Sequence, residues 1–512
     1  MTADGHNAIA IASFLGVILA TLGITWWAAR KTATPDDLLV AGSRIPGLHN
    51  GVAIAGDFMS AATFLGITAL YFTTGFDAVI YILAPLVAFA ILLFLIVEPL
   101  RRLGQHTYAD VICRRLDPRP MRILAAIFTL ASGVMYLMVQ MVGAGALMQV
   151  LFGVQYLHAV LLVGALTVLY VAVGGMLAAT WVQITKAVLL VLGVTALAFG
   201  VLMRFGFDLE LLYDRAIRAH THGQFLTQPG GMDLDVISAV SLALAMTFGI
   251  AGSPHILMRF LTVPTAAAAR TSAFVALLVT AFVFILIFFV ISVGAVALVT
   301  DNPAFLDADG AIVGGTNMVA IHLSQLLGGQ LFLGLMSAVT FATILAVVTG
   351  LTLASTAALS HDLFANVIRR GHCSVAEEMW AARISAVLVG SIVVVLAIGF
   401  EKQNIAYLAS LALTLAASTT FPILLLTMYW PGLTSRGALV GGTAGLVCAV
   451  LLVVFSPTVW VDIFGFREPV FSSRYPGVYS IAAAFSLSWL FSRVDRSERA
   501  AVDRRLLSLQ EQ

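Results

Sequence analysis

Long, almost unbroken apolar stretches alternate with short polar ones along the whole 512-residue chain. Ile80 to Val97 and Phe274 to Val299 are typical of them. A membrane-crossing helix needs about 20 consecutive apolar residues. On that measure the pattern predicts thirteen spans, near 8–28, 51–76, 78–100, 121–150, 156–174, 179–203, 237–258, 271–300, 330–359, 383–400, 405–430, 438–456 and 475–492. Only helices and closed barrels satisfy every backbone group in lipid, and runs this long lack a barrel's alternation. The expectation is an all-α polytopic membrane protein.

Composition and charge narrow the class further. Hydrophobic residues make up 60% of the chain, charged ones 10%, and the mean hydropathy is +1.01, whereas soluble domains carry about 25% charged residues. With 27 basic and 26 acidic side chains the net charge is +1, so no nucleic-acid partner is implied. Cys113, Cys373 and Cys448 have neither metal-ligand spacing nor the number for a disulfide framework.

The first apolar run is preceded by Asp4 and His6 and followed by Arg30 and Lys31. A signal peptide has its basic stretch before the run, so this one reads as an uncleaved helix with its N-terminus outside. Carried through thirteen crossings, that start places the C-terminus in the cytoplasm. Inward segments then hold 20 basic residues, Arg101, Arg115, Arg122 and Arg259 among them, and outward loops hold six, with Lys186 left in a span. The bias agrees with the positive-inside rule and suits a plasma (inner) membrane.

Two spans are interrupted. The second contains Ala55-Gly56-Asp57-Phe58-Met59-Ser60, and the seventh contains Gly249-Ile250-Ala251-Gly252-Ser253-Pro254-His255. Gly and Pro free backbone groups that must find partners inside a membrane. Paired interruptions in two halves of a chain point to a transporter's binding site. The two lie five spans apart and cross in opposite directions, as an inverted five-plus-five repeat requires. The division that follows is 1–50 (first helix and inner loop), 51–203 (first repeat), 204–236 (outer loop), 237–430 (second repeat, with an outward loop 301–329), 431–492 (two peripheral helices) and 493–512 (tail). The loops at 204–236 and 301–329 have room for short helices.

The stretches Ala55 to Gly66, Gly174 to Gln183, Pro254 to Arg259 and Leu351 to Asp362 resemble the sodium:solute symporter family, and within it the acetate and monocarboxylate permease branch. The resemblance covers nearly the whole chain. It implies thirteen helices, a leucine-transporter-like core and alternating access. It also implies a sodium site built from backbone carbonyls at Gly56 and Met59, a third carbonyl at Thr343, and two hydroxyls on the eighth core helix. Those hydroxyl positions fall on Ala346 and Val347, which cannot ligate through their side chains. A register slip of three brings Thr349 to the first position and leaves Gly350 at the second. The family's acidic residue on the fifth core helix matches Gln183, with Lys186 one turn further along.

Asp57 and Lys186 are the charged side chains that the span map leaves within the hydrocarbon, and each is costly without a partner. At 1.5 Å rise per residue both lie roughly 9–10 Å from the inner face, so they can meet. One reading is an ion pair that only locks two helices. Three functional readings stand beside it. Lys186, with Asp57 as counter-charge, replaces the sodium ion and couples transport to protons, since a buried lysine readily exchanges its proton. Alternatively sodium is retained, with the Asp57 carboxylate standing in for the missing hydroxyls, because a hard cation wants oxygen ligands. In the third, Lys186 anchors an anionic substrate.

A substrate cavity between the broken helices would be mostly apolar with a few polar contacts. Candidates are Ser60 and Thr63 on the second span, Ser253 and His255 at the break of the seventh, and Ser418, Thr419 and Thr420 before Pro422 on the eleventh, with Phe58 and Phe64 to pack on a short alkyl chain. By the resemblance, Thr63 matches a position that touches substrate in sugar-transporting relatives. Each hydroxyl can instead bond back to its own helix, and His255, beside Arg259, fits a titrating group, an inner gate or a satisfied buried histidine alike.

No glycine pair is followed by Lys-Ser/Thr, so no nucleotide loop drives transport, and neither a zinc-protease motif nor a nucleophile–base pair points to an enzyme. The expected function is symport of a short-chain monocarboxylate (acetate, propionate, pyruvate or lactate) with Na+ or H+, with no cofactor and no obligate protein partner. A sodium symporter for an amino acid or sugar, and more remotely a channel, are the alternatives.

Overall fold

The computed structural model describes residues 8–29, 41–104, 107–173, 176–370, 372–401 and 403–497. Arg30, Lys31, Gly174, Gly175, Lys402 and the tail beyond 497, which enter the readings above, lie outside them. The described residues form helices joined by turns and a few longer loops, with one isolated antiparallel bridge, Leu306 to Ile312.

In chain order the helices are α1 (Ala8–Ala29), α2 (Gly47–Phe58), α3 (Ile67–Thr74), α4 (Ile80–Ile91), α5 (Val97–Leu103), α6 (Tyr108–Cys113), α7 (Pro118–Phe152), α8 (Tyr156–Val173), α9 (Met176–Arg204) and α10 (Leu209–Ala219). The second half has α11 (Val236–Ala251), α12 (Pro254–Arg259), α13 (Ala266–Leu286), α14 (Val293–Val299), α15 (Val319–Ala357), α16 (Val375–Gly399), α17 (Ile405–Ser418), α18 (Thr420–Tyr429), α19 (Ser435–Val454) and α20 (Gly477–Val494). Among the described residues, nine helical stretches are long and apolar enough to cross a membrane. The protein is a multi-pass membrane protein.

Both predicted interruptions are real breaks. The first helix leaves helical geometry at Met59 (φ −72°, ψ 84°) and resumes through a widened turn over Ala62–Gly66. The second leaves it at Gly252 and Ser253, where Ser253 is extended (φ −68°, ψ 117°) before Pro254 starts α12. The eleventh predicted span also breaks, at Thr419 (φ −127°, ψ −76°) between α17 and α18. Pro422 accounts for this, since it has no N–H to give the Ser418 carbonyl. The loop predicted over 301–329 proves partly helical. α15 begins at Val319, and its long straight part starts only after a kink at Gly328 and Gly329.

Without a hydrophobic drive between helices in lipid, small residues that allow close approach decide the packing. A Cβ on Gly56 would overlap the Gln183 carbonyl oxygen, so α2 presses directly on α9. Gly66 sits against the Ala406 backbone, and Gly249 against Leu413, so α17 packs on both broken helices. α2 also packs on α13 and α15, and α15 lies between α7 and α9. The peripheral pair α19 and α20 meet through Gly437 and Gly441, which face Ser492 and Ser488.

The loop after α9 folds over the end of α3. Gly75 turns the chain with φ 67°, a conformation that favours glycine. Asp77 accepts hydrogen bonds from the Gly230 and Met232 amides, and the Tyr71 hydroxyl donates to the Leu226 carbonyl at 2.9 Å. The resumed arm of the first broken helix and the long loop therefore pack together.

Candidate cation and substrate site

Where α2, α9, α12 and α15 converge, four polar side chains are buried together. Asp57, Gln183, Lys186 and Arg259 are each no more than 1% exposed. The Asp57 carboxylate is shared between two helices. Its Oδ1 accepts from Gln183 Nε2 at 2.7 Å, and its Oδ2 accepts from Arg259 Nε at 3.2 Å. Arg259 Nη1 donates on to the Thr180 hydroxyl at 3.1 Å. Gly350 on α15 borders the pair; a Cβ there would make ordinary contacts, 3.5 Å from Asp57 Oδ1 and 3.7 Å from Arg259 Nη2.

This arrangement corrects the expected pairing. Lys186 makes no ion pair among the described residues; its Nζ donates to the Thr343 carbonyl at 3.0 Å. The partner of Asp57 is Arg259, which hydropathy assigns to an inner loop and which is instead buried. Arg115 was likewise assigned to a loop. Its guanidinium is buried and donates to the carbonyls of Thr427, Trp430, Pro431 and Leu433, closing the end of α18. Hydropathy sees a charge at the edge of an apolar run and places it in water. The actual depth is decided by the helix packed over it.

The carbonyl on which Lys186 rests belongs to Thr343, one of the three carbonyl positions that the resemblance assigns to a sodium ion. Gly56 lies in the last turn of α2 and Met59 at the break that follows it, and Ala346 and Val347 are buried on α15 one turn beyond Thr343. Three polar atoms of this group are buried without a partner: Gln183 Oε1, Arg259 Nη2 and Thr343 Oγ1. The cluster thus holds two cationic side chains, one carboxylate and unused donors and acceptors.

The substrate candidates separate into two sets. Ser60 Oγ lies 3.4 Å from the Tyr136 hydroxyl, and Tyr136 stacks on His255 with ring centroids 5.6 Å apart. The two breaks are therefore bridged through α7, and Ser60 and His255 are brought together. Thr63 turns back, its hydroxyl donating to the Phe58 carbonyl at 3.2 Å. Phe64 is buried in the core, and Ser253 donates to the Gly249 carbonyl at 2.8 Å. Ser418 donates to the Thr414 carbonyl and meets Ser480 of α20 at 2.7 Å, and Thr419 donates to the Leu415 carbonyl. Ser418 thus faces the peripheral helices. Arg259, Tyr136 and Thr180 were missed from sequence, although Arg259 stands in the quoted Pro254-to-Arg259 stretch.

Two discontinuous helices meeting at a buried charge cluster define a secondary transporter. A model of the sodium:solute symporter family matches residues 38–445, and the chain belongs to that family. The fold is similar to that of a Na+-coupled sialic acid symporter in a substrate-bound, outward-open state, with TM-score 0.72 and 16% identity over 96% of this chain and 98% of that one. It is also similar to Mhp1, a nucleobase-cation-symport-1 family transporter closed on bromovinylhydantoin, with TM-score 0.56 and 14% identity over 93% of this chain and 100% of that one. A manganese transporter from Eremococcus coleocola aligns with TM-score 0.50 and 14% identity over 90% of this chain and 94% of that one.

Proposed function

We propose that this family member carries a short-chain monocarboxylate into the cell, crossing the membrane thirteen times with its N-terminus outside, and that Lys186 supplies the charge of the coupling ion. The observation that carries this reading is the Lys186 ammonium on the Thr343 carbonyl at 3.0 Å, beside an Asp57 whose carboxylate is already taken by Gln183 and Arg259. Two cations and one anion leave the buried site with an excess positive charge. Burying such an excess is costly, and it is relieved when Lys186 gives up a proton or when a carboxylate substrate enters. Protonated Lys186 ties α9 to α15; the neutral amine holds that tie more weakly. Proton and anion binding from outside would then precede rocking of the five-plus-five core against its scaffold, which opens the inner path.

A second reading keeps Na+, as the family's name implies, with Asp57 as a ligand. It requires Arg259 and Gln183 to release the carboxylate. Uptake of labelled acetate and lactate into proteoliposomes separates the two, under an imposed proton gradient and then a sodium gradient, with passive entry of the neutral acid subtracted. Accumulation driven by protons without sodium is the expected result. Strict sodium dependence overturns lysine coupling, and uptake under neither gradient overturns the substrate class.

A further inference from the structure

Gln140 sits in the middle of α7, is completely buried, and has no hydrogen-bond partner on either amide atom. A buried amide that satisfies neither its donor nor its acceptor is unusual in a native interior and calls for a partner that the protein does not itself provide. Its neighbours on α7 show where it faces. Gly133 lies 2.7 Å, at the position of a Cβ, from Ser355 Oγ of α15. Tyr136 meets Ser60 and stacks on His255. Gly143 lies 2.9 Å, on the same measure, from Ala61 and 3.8 Å from Ile344. At 3.6 residues per turn these three positions and Gln140 fall within an arc of about 80°. Gln140 therefore lies on the face of α7 that meets both the break of the first broken helix, at Ser60 and Ala61, and α15. Ile344, which approaches Gly143, is the residue next to the carbonyl that receives Lys186.

We infer that Gln140 is a specificity-determining residue of the substrate site, and that it selects 2-hydroxy monocarboxylates over unsubstituted ones. The inference rests on the monocarboxylate reading above. Nε2 donates to a carboxylate oxygen. Oε1 can be satisfied only by a donor. Acetate and propionate have none, whereas the hydroxyl of a 2-hydroxy acid stands one carbon from the carboxylate and serves as that donor. A site with a polar group matched to a substrate hydroxyl discriminates strongly against the analogue lacking it, because the group is otherwise left unpaired.

The experiment compares lactate, glycolate, propionate and acetate as substrates and competitors in proteoliposomes, for wild type and for Gln140→Met and Gln140→Glu. Wild type is expected to favour each 2-hydroxy acid over its deoxy counterpart by roughly tenfold or more. Gln140→Met, of similar length and without polar atoms, is expected to abolish that preference while retaining propionate uptake. Its thermal stability without substrate should equal or exceed that of wild type, because the amide it replaces is unpaired; a structural glutamine would show the opposite. Gln140→Glu is expected to lose all monocarboxylates through charge repulsion. If a trapped water were the partner of Gln140, Gln140→Met would leave the ranking of the four acids unchanged, and that result overturns the inference, as does equal wild-type handling of lactate and propionate. Wild-type protein that takes up none of the four instead overturns the monocarboxylate reading itself, and this proposal with it.

Discussion

Lys186 on α9 donates its ammonium hydrogen to the Thr343 carbonyl on α15 at 3.0 Å, while its nearest candidate counter-charge, Asp57, is committed to Arg259 and Gln183. A side-chain cation resting on a helix carbonyl, with its anion engaged elsewhere, is poised to lose or gain a proton without dismantling an ion pair. That separation makes the roles of the two cations independently testable.

Lys186→Met keeps the length of the side chain and removes the charge. Accumulative uptake is expected to fall to the passive level. Stability in detergent should be unchanged or higher, because a buried ammonium carries a large desolvation cost. Proton-driven accumulation retained by this variant would remove Lys186 from the coupling step.

Asp57→Ala strands Arg259 in the core and is expected to cost about 3–5 kcal/mol, the usual penalty for one orphaned partner of a buried pair. Adding Arg259→Ala should recover part of that loss. The check is a double-mutant cycle read by thermal unfolding, in which strictly additive losses would show that the two side chains do not share an interaction.

Gly56→Ala puts a methyl group against the backbone oxygen of Gln183. A backbone oxygen cannot move aside as a flexible side chain does, so about 1–3 kcal/mol of destabilisation is expected, together with slowed transport. Gly16→Ala, whose Cβ would meet nothing within 4 Å, is the matched control and should be neutral.

Ser418→Ala removes a hydroxyl bonded to Thr414 and Ser480, not one facing the Ser60–Tyr136 region. Half-saturation for substrate is expected to stay within about twofold, with a stability loss of about 1 kcal/mol from the α17–α20 joint. Ser60→Ala should show the reverse balance, with affinity affected more than stability. Uptake kinetics set against melting temperature in the two variants decide it.

Asp235 caps α11. Hydrogen bonds from the Ser238 side chain, and from the Ser238 and Ile237 amides, hold its carboxyl below the ordinary carboxylate range. A depressed folded-state pKa means the stabilisation is present above the unfolded value, about 3.9, and is lost as pH falls through the folded one. Asn still caps but does not titrate. The difference in melting temperature between wild type and Asp235→Asn is therefore expected to shrink as pH is lowered from 6 to 3, and a constant difference would contradict the cap's contribution.

Much of this architecture is legible along the chain because it is set by local composition. Apolar runs such as Ile80 to Val97 have no spanning form but a helix once a barrel is excluded, and Gly252 with Pro254 cannot sustain an unbroken one. Met59 and Ser253 accordingly mark breaks in the structure where the sequence places them. The buried depth of Asp57 and Lys186 follows from the same local counting.

Which polar groups meet depends on the rotation and lateral position of separate helices, and no single stretch of chain encodes that. Arg259 stands at the end of an apolar run and reads as solvated. It is buried because α2 and α15 close over it. Thr63, Ser253 and Thr419 look alike in sequence as free hydroxyls, and each returns to a carbonyl four or five residues behind it. Gln140 carries no local signal at all, being one amide in an apolar helix; its unmet donor and acceptor become visible only when the surrounding helices are in place. Hydropathy therefore determines that this chain enters a membrane as helices and where two of them break. The close packing of small residues, which sets the rotation of each helix, decides which charges pair and which buried polar groups stay without a partner.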